Sequence, residues 1–259
     1  MKKERDEPIK RLLFTGEPFD DESFIGYIMR LAEMNEIPDL RWILKLAGLV
    51  ELYDYRYKYN SDFKVDPSPL AELTGAAETK IENLLYLHEQ GRRRHIVGNL
   101  IVFGQPVQHH FVVRQHPKVC PGCLAEKLYC RKVWELSPVT VCPVHQCLLI
   151  QNCPKCKRSI DWKRPKINLC HCEYDFRKIK ISKLESKDLR LSQYIHQQFG
   201  LPCSSENKVF KYPLSELELN DVLTALFFAA AHFAEMPDYT GVSLSKSKSC
   251  SELHKFLCQ

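Results

Sequence analysis

No stretch of this chain is apolar enough to cross a bilayer. The longest, Val222–Ala234, has 13 residues and is broken by Thr224 and His232, against about 20 for a spanning helix. The opening MKKERDEP is charged and leads into no apolar segment of the secretory kind. Neither an integral membrane protein nor an exported one is expected, and the expected location is the cytoplasm. Also missing are a G-x-x-x-x-G-K-[ST] phosphate loop, an H-E-x-x-H pair and an H-x-E followed by P-C-x-x-C. With them go the commonest nucleotide-hydrolysing, metalloprotease and deaminase chemistries. The acids Asp20, Asp21 and Glu22 stand at a helix start, where capping explains them better than magnesium. No catalytic role is expected, and no repeat is visible beyond paired cysteine units.

What is present is a chain of 259 residues, 44% hydrophobic and 27% charged, enough for one or two domains with a core. Its surplus of positive charge is concentrated. Residues 1–119 carry 17 Lys and Arg against 18 Asp and Glu, residues 120–180 carry 12 against 5, and residues 181–259 carry 8 against 9. The middle window also holds nine of the twelve cysteines. Without an export signal, that cysteine usage points to metal rather than disulfides. Two zinc ions held by seven thiolates and one imidazole would leave the window at about +4, a modest basic patch facing phosphate, an acidic protein surface or solvent.

Along the chain, residues 8–19 read as an extended arm with apolar anchors Leu12, Leu13 and Phe14. Asp20 and Asp21 offer cap chemistry for a helix over 22–35, with Phe24, Ile28, Leu31 and Ala32 as its buried stripe. Pro38 and Asp39 open a second helix, with Leu40, Ile43, Leu44 and Ala47 inward and Gly48 as its left-handed stop. The alternating tyrosines of 53–59 suggest a short strand or an aromatic loop. Leu70–Thr74, a turn at Gly75 and a longer helix over Glu78–Leu87 have helix-turn-helix spacing. The second of these helices presents Glu78, Thr79, Lys80, Glu82 and Asn83, and two carboxylates against one lysine are poor chemistry for phosphate. Arg92, Arg93, Arg94 and His95 form the sharpest basic run of the first half, a candidate nucleic-acid clamp. Residues 96–113 are β-like, with Gly104 and Pro106 marking a turn. Leu189–Phe199 and Leu214–Phe233 read as helices, the latter with Leu217, Leu223, Leu226, Phe227 and Phe233 inward, and the tail from Thr240 as mobile. The expected division is 1–115, 116–180 and 181–259.

Two cysteine units stand out. The first is Cys120-Pro-Gly-Cys123, eighteen residues, then Cys142-Pro-Val-His145; the second is Cys153-Pro-Lys-Cys156, thirteen residues, then Cys170-His-Cys172. A C-x-x-C turn lets two thiolates meet one ion, and two half-sites complete a tetrahedron, so two structural Zn2+ sites are expected, closed to substrate. In the second unit His171 or Cys147 is an alternative to one of the closely spaced Cys170 and Cys172. Cys130, Cys203, Cys250 and Cys258 read as small apolar residues, and His109 and His110 as surface or core. Segment 120–175 has few large aliphatics, so its fold is expected to collapse on chelation. Lys155, Lys157, Arg158, Lys163, Arg164 and Lys166 form a basic stretch that, with Arg92–Arg94, is the candidate nucleic-acid or acidic-partner face.

The run Asp21-Glu-Ser-Phe-Ile-Gly-Tyr-Ile-Met-Arg-Leu-Ala32, together with Val119-Cys-Pro-Gly-Cys-Leu-Ala-Glu126, Trp134, Val141-Cys-Pro-Val-His145 and Cys153-Pro-Lys-Cys156, resembles the TniQ family of transposition proteins, which includes the longer TnsD target selectors. The resemblance covers roughly residues 12–175. It implies a mainly α fold with small zinc-finger β elements: an N-terminal helix-turn-helix region, tandem zinc fingers and C-terminal helices. It also implies an adaptor that links an RNA-guided CRISPR effector complex with its guide RNA, or target DNA near the insertion site, to a TnsC-like AAA+ ATPase and so recruits the transposase. The arm would contact a protein partner, and a homodimer stays open. A TnsD-like reader of an attachment site is the alternative. The absence of a long C-terminal extension and the acidic second helix favour the adaptor.

Overall fold

The structure, a computed structural model, describes residues 11–50, 65–88, 98–204, 209–210 and 214–233. The expectations for Tyr53–Tyr59, Arg92–His95 and the tail from Thr240 lie outside the described residues. Within them the chain is helix-rich, with one three-stranded and one two-stranded antiparallel sheet, both small. No helix among the described residues is long and apolar enough to cross a membrane.

Helix α1 (Phe24–Met34) starts at Ser23, whose hydroxyl accepts from the Gly26 N–H. The two preceding acids do not cap it. Asp21 turns to Arg131 and Tyr129, and Glu22, fully buried, takes a two-pronged contact from Arg30 at 2.8 and 2.7 Å. Helix α2 (Arg41–Leu46) is short, buries Ile43 and Leu44, and is followed by Gly48 at φ 68°. Helices α3 (Ser68–Thr74) and α4 (Glu78–Leu84) flank Gly75, whose φ of 73° stops α3 in the left-handed region. Alpha-4 is shorter than its sequence suggests. Leu85 is extended, and Leu87–His88 instead form strand β1, paired with Leu100 and Ile101 of β2 (Asn99–Val102). Strand pairing outweighs the helical pattern of this leucine-rich stretch.

Strand β2 returns as β3 (Gln105–Gln108) through a two-residue turn. Phe103 (φ 48°) and Gly104 (φ 79°) both sit in the left-handed region that such tight hairpins require. Pro106 is not in the turn; it pairs with Ile101 within β3, an edge strand of the sheet, where a missing N–H is tolerated. Helix α7 (Leu219–Phe233) packs on β3, with Gln108 donating to Thr224 at 2.9 Å. Its inward residues include Leu223, whereas Leu217 precedes the helix and is exposed. Helix α6 (Ser186–Gln198) packs on β4 (Val141–Cys142), which pairs with β5 (Cys147–Leu148); helix α5 (Pro121–Glu126) completes the middle segment.

One contiguous core runs from α1 to α7. The middle segment, poor in long aliphatics, contributes Trp134, Trp162, Phe176, Val133, Leu136 and Val139 to it, all essentially buried. It is clasped to α1 by backbone pairing: the Ser23 N–H donates to the Cys130 carbonyl at 2.8 Å and the Lys132 N–H to the Asp21 carbonyl at 2.8 Å. Gly26 faces Cys130 so closely that an added methyl would lie 2.9 Å from its Cβ. Gly26→Ala is therefore expected to cost about 1–3 kcal/mol, typical of an overpacked core. Chemical denaturation of the purified variant measures it.

The clasp encloses a polar knot. Glu135, buried, accepts from Ser23 and from Tyr86 at 2.8 Å. Lys132, also buried, donates to the carbonyls of Asn83 (2.9 Å) and Leu85 (2.8 Å), with its ammonium over the Tyr86 ring. Burial pushes the Glu135 carboxyl above its ordinary range, against the pull of Ser23, Tyr86, Arg114 and Lys132. Burial likewise brings Lys132 down to about 8, against the opposing pull of Glu135. Between roughly pH 8 and the ordinary lysine value, the unfolded chain holds a proton at this residue that the folded one has released. This group's contribution to stability thus grows as pH rises through that window and is lost as pH falls through about 8. Thermal melts at pH 7 and 9.5 should show the difference between wild type and Lys132→Met shift in favour of wild type at the higher pH.

Candidate metal centres and basic face

Cys120 precedes α5 and Cys123 lies within it, the Cys123 N–H pointing at the Cys120 sulfur at 3.5 Å. Cys142 ends β4, and the His145 N–H points at its sulfur at 3.5 Å. Backbone N–H groups of this kind stabilise thiolate charge. Cys142 is accordingly held low by the Cys120 and Cys123 thiols and by that N–H, against its burial. The second unit is built on tight turns: the Lys157 N–H donates to the Cys153 carbonyl at 2.9 Å and the Glu173 N–H to that of Cys170 at 2.9 Å. Gln146, Lys157 and Glu173 have φ of 54°, 62° and 62°. Each directly follows the second cysteine or histidine of a half-site, where a left-handed residue folds the chain back around the ligands.

The eight ligands expected from the spacing fall into two groups: Cys120, Cys123, Cys142 and His145, and Cys153, Cys156, Cys170 and Cys172, with the ligand atoms of each within 4.8 Å of one another. In the first, the sulfurs of Cys123 and Cys142 are 3.6 Å apart. His145 Nδ1 lies 3.6, 3.3 and 3.7 Å from the sulfurs of Cys120, Cys123 and Cys142. In the second, Cys153–Cys172 and Cys156–Cys170 are 3.7 and 3.6 Å apart. Tetrahedral zinc with bonds of about 2.3 Å to sulfur and 2.0–2.1 Å to nitrogen has edges of about 3.8 and 3.6 Å. Both groups fit that ion.

The surroundings of His145 fit as well. Its Nε2 lies 3.0 Å from the Glu126 carboxylate, which orients the ring so that Nδ1 faces the thiols, the arrangement common to ligand histidines. Burial lowers its pKa, but Cys142 and Glu126 outweigh it and the net shift is upward. Gly122 makes room for the ring, since a Cβ there would lie 2.3 Å from His145 Cδ2. His171 is not drawn into the second group: its Nε2 lies 2.9 Å from Asp161. Cys147 stands beside the first group instead, its sulfur 3.7 Å from that of Cys120. Cys130 is buried and accepts from Arg164 at 3.2 Å. His110, half-buried, packs against Phe111 and Phe227.

Of the basic stretch, Lys155, Lys157, Arg158, Lys163 and Lys166 are exposed around the second group. Arg164 is a correction to the sequence reading. It is buried, donating at 3.2 Å to the Ile167 carbonyl, at 2.6 Å to that of Asp161 and to Cys130, so its guanidinium is committed inside. Arg92, Arg93 and Arg94 lie outside the described residues. On α4, Lys80 pairs with Glu17, which reduces further the positive charge that helix offers. The arm is fixed by its backbone: the Leu12 N–H donates to the Leu73 carbonyl at 3.0 Å, and Asn35 bonds the Phe14 N–H and carbonyl at 2.9 and 2.7 Å. Leu12 packs on the core, whereas Leu13 (85% exposed) and Phe14 (54%) face outward. Glu135 and Lys132 belong to no motif, and the one trace of them in the sequence is that two charged residues stand beside Trp134 among apolar neighbours.

No curated protein matches the chain. Residues 13–149 match the family described as TniQ, a span that takes in the arm from Leu13 onward, the clasp between α1 and Cys130–Lys132, and the whole first ligand group. Because that match extends over more than half of the 259 residues, the chain belongs to the TniQ family of transposition-associated proteins.

Proposed function

We propose that the protein is a target-selection adaptor in transposition. It links an RNA-guided CRISPR effector complex, or target DNA near the insertion site, to a TnsC-like AAA+ regulator that brings in the transposase. Two structural Zn2+ ions, one per ligand group, stiffen the middle segment, and the helix pair α3–α4 serves as a structural helix-turn-helix rather than a base reader. The observation that carries the reading is the arm. Its backbone is pinned at Leu12 and Phe14 while Leu13 and Phe14 are presented to solvent, a pre-ordered apolar pair that costs little further entropy to dock. The exposed lysines and arginine around the second ligand group supply the face for nucleic acid or an acidic partner.

Retention of the AAA+ regulator, loaded with a non-hydrolysable ATP analogue, on the immobilised protein tests this. Leu13→Ser/Phe14→Ser should reduce retention at least tenfold with zinc content unchanged; equal retention removes the arm from the interface. A salt titration with matched and scrambled duplex separates the TnsD-like alternative. Binding indifferent to sequence and shallow in salt dependence fits the adaptor, whereas strong discrimination between duplexes fits the reader.

A further inference from the structure

The first ligand group has more donors than a tetrahedral ion can use. Four of them, Cys120, Cys123, Cys142 and His145, converge. A fifth, Cys147, is buried on β5, directly across from Cys142 in the hairpin register, with its sulfur 3.7 Å from that of Cys120. That separation equals a ligand-to-ligand edge of a zinc tetrahedron. The histidine is the most peripheral of the four: its side chain is 17% exposed, and Glu126, which orients it, is 61% exposed. It also rides on the loop Pro143–Gln146 between two sulfur donors, a loop tied to the following segment by the Leu184 N–H bond to the Gln146 carbonyl at 2.8 Å.

We propose that Cys147 is the reserve ligand of the first centre, taking the fourth position when His145 leaves it. This rests on the reading of that group as a zinc site. In the exchange the bond from the metal to His145 Nδ1 breaks and one from the metal to Cys147 Sγ forms. The thiol proton passes to water and no electron changes hands. The centre goes from three thiolates and an imidazole to four thiolates, and the loop bearing His145 is freed without loss of the ion. A set of four sulfurs is as acceptable to zinc as three sulfurs and a nitrogen.

Cobalt substitution of the full-length protein reads this directly, because thiolate-to-cobalt charge-transfer absorption counts sulfur ligands. Wild type should take up two ions with the intensity of seven thiolates. His145→Ala should keep both ions with the intensity of eight, and Gly122→Ala, which crowds the imidazole out, should do the same if His145→Ala folds poorly. His145→Ala/Cys147→Ser should lose one ion equivalent, while Cys147→Ser alone should match wild type. The proposal is overturned if His145→Ala loses an ion as the double variant does, or keeps it without gaining intensity. It is also overturned if Cys147→Ser alone loses intensity, which would make Cys147 a primary ligand. A wild type that binds no cobalt overturns the zinc reading itself, and does so before any variant is compared.

Discussion

Stripping zinc from the purified protein is expected to abolish its cooperative thermal transition and to expose two of its three tryptophans. The size of the effect follows from two magnitudes. Structural zinc contributes on the order of 10–16 kcal/mol to small metal-bound folds, whereas a whole domain is stable by about 5–15 kcal/mol. Removing two such ions removes at least the entire margin. The sequence suggests that only the middle segment would collapse, but the core is shared. The start of α1 pairs with Cys130 and Lys132, a few residues after Cys123, so α1 loses its partner when the first centre opens. The tryptophans make the outcome legible. Trp42 is already 58% exposed, while Trp134 and Trp162 are 1% and 2% exposed. A red shift of emission on chelation therefore reports the middle segment. Unchanged emission and circular dichroism, with elemental analysis confirming complete removal, would refute the structural role of the metal.

Much of the candidate site was legible because metal ligation is local. The Cys-Pro-x-Cys and Cys-Pro-Val-His pairs carry their own turns, and the spacing of the half-sites was enough to group eight ligands as the structure groups them. The helices were legible where an apolar stripe or a glycine stop marked them, as at Ile43, Leu44 and Gly48. What escaped was set by tertiary partners. The two aspartates before α1 look like caps, yet Asp21 belongs to Arg131, more than a hundred residues on, and Ser23 does the capping. Leu85–Leu87 continues a helical pattern, but the helix stops at Leu84 and Leu87 and His88 are drawn into a sheet by a strand that follows them. Arg164 sits among exposed basic residues and differs from them only because two carbonyls and Cys130 await it inside. Spacing made Cys147 an alternative ligand of the second unit; the hairpin that sets it opposite Cys142 places it beside the first instead.

Glu135→Ala should be the most damaging single change outside the metal ligands, costing about 3–5 kcal/mol. The wild-type carboxylate is buried at the joint where α1, the end of α4 and the middle segment meet. It accepts from the Ser23 hydroxyl and the Tyr86 phenol, and its charge acts at longer range on the buried ammonium of Lys132, which itself donates to the Asn83 and Leu85 carbonyls. Truncation leaves two buried donors without an acceptor and removes a negative charge that acts on a buried cation, and both losses are costly away from water. Glu135→Gln keeps an acceptor for one of the two hydroxyls and should cost less than the alanine. If the penalty comes from the stranded charge rather than from lost volume, Glu135→Leu/Lys132→Met should recover most of it, because a buried pair replaced by apolar side chains of similar size is often neutral in stability. The double-mutant cycle in urea therefore separates the two causes: a coupling of at least about 1.5 kcal/mol between positions 132 and 135 supports the charged knot. Additive losses, or an alanine variant within about 0.5 kcal/mol of wild type, would show that the clasp between α1 and the zinc-bearing segment is held by its backbone pairing and apolar contacts alone.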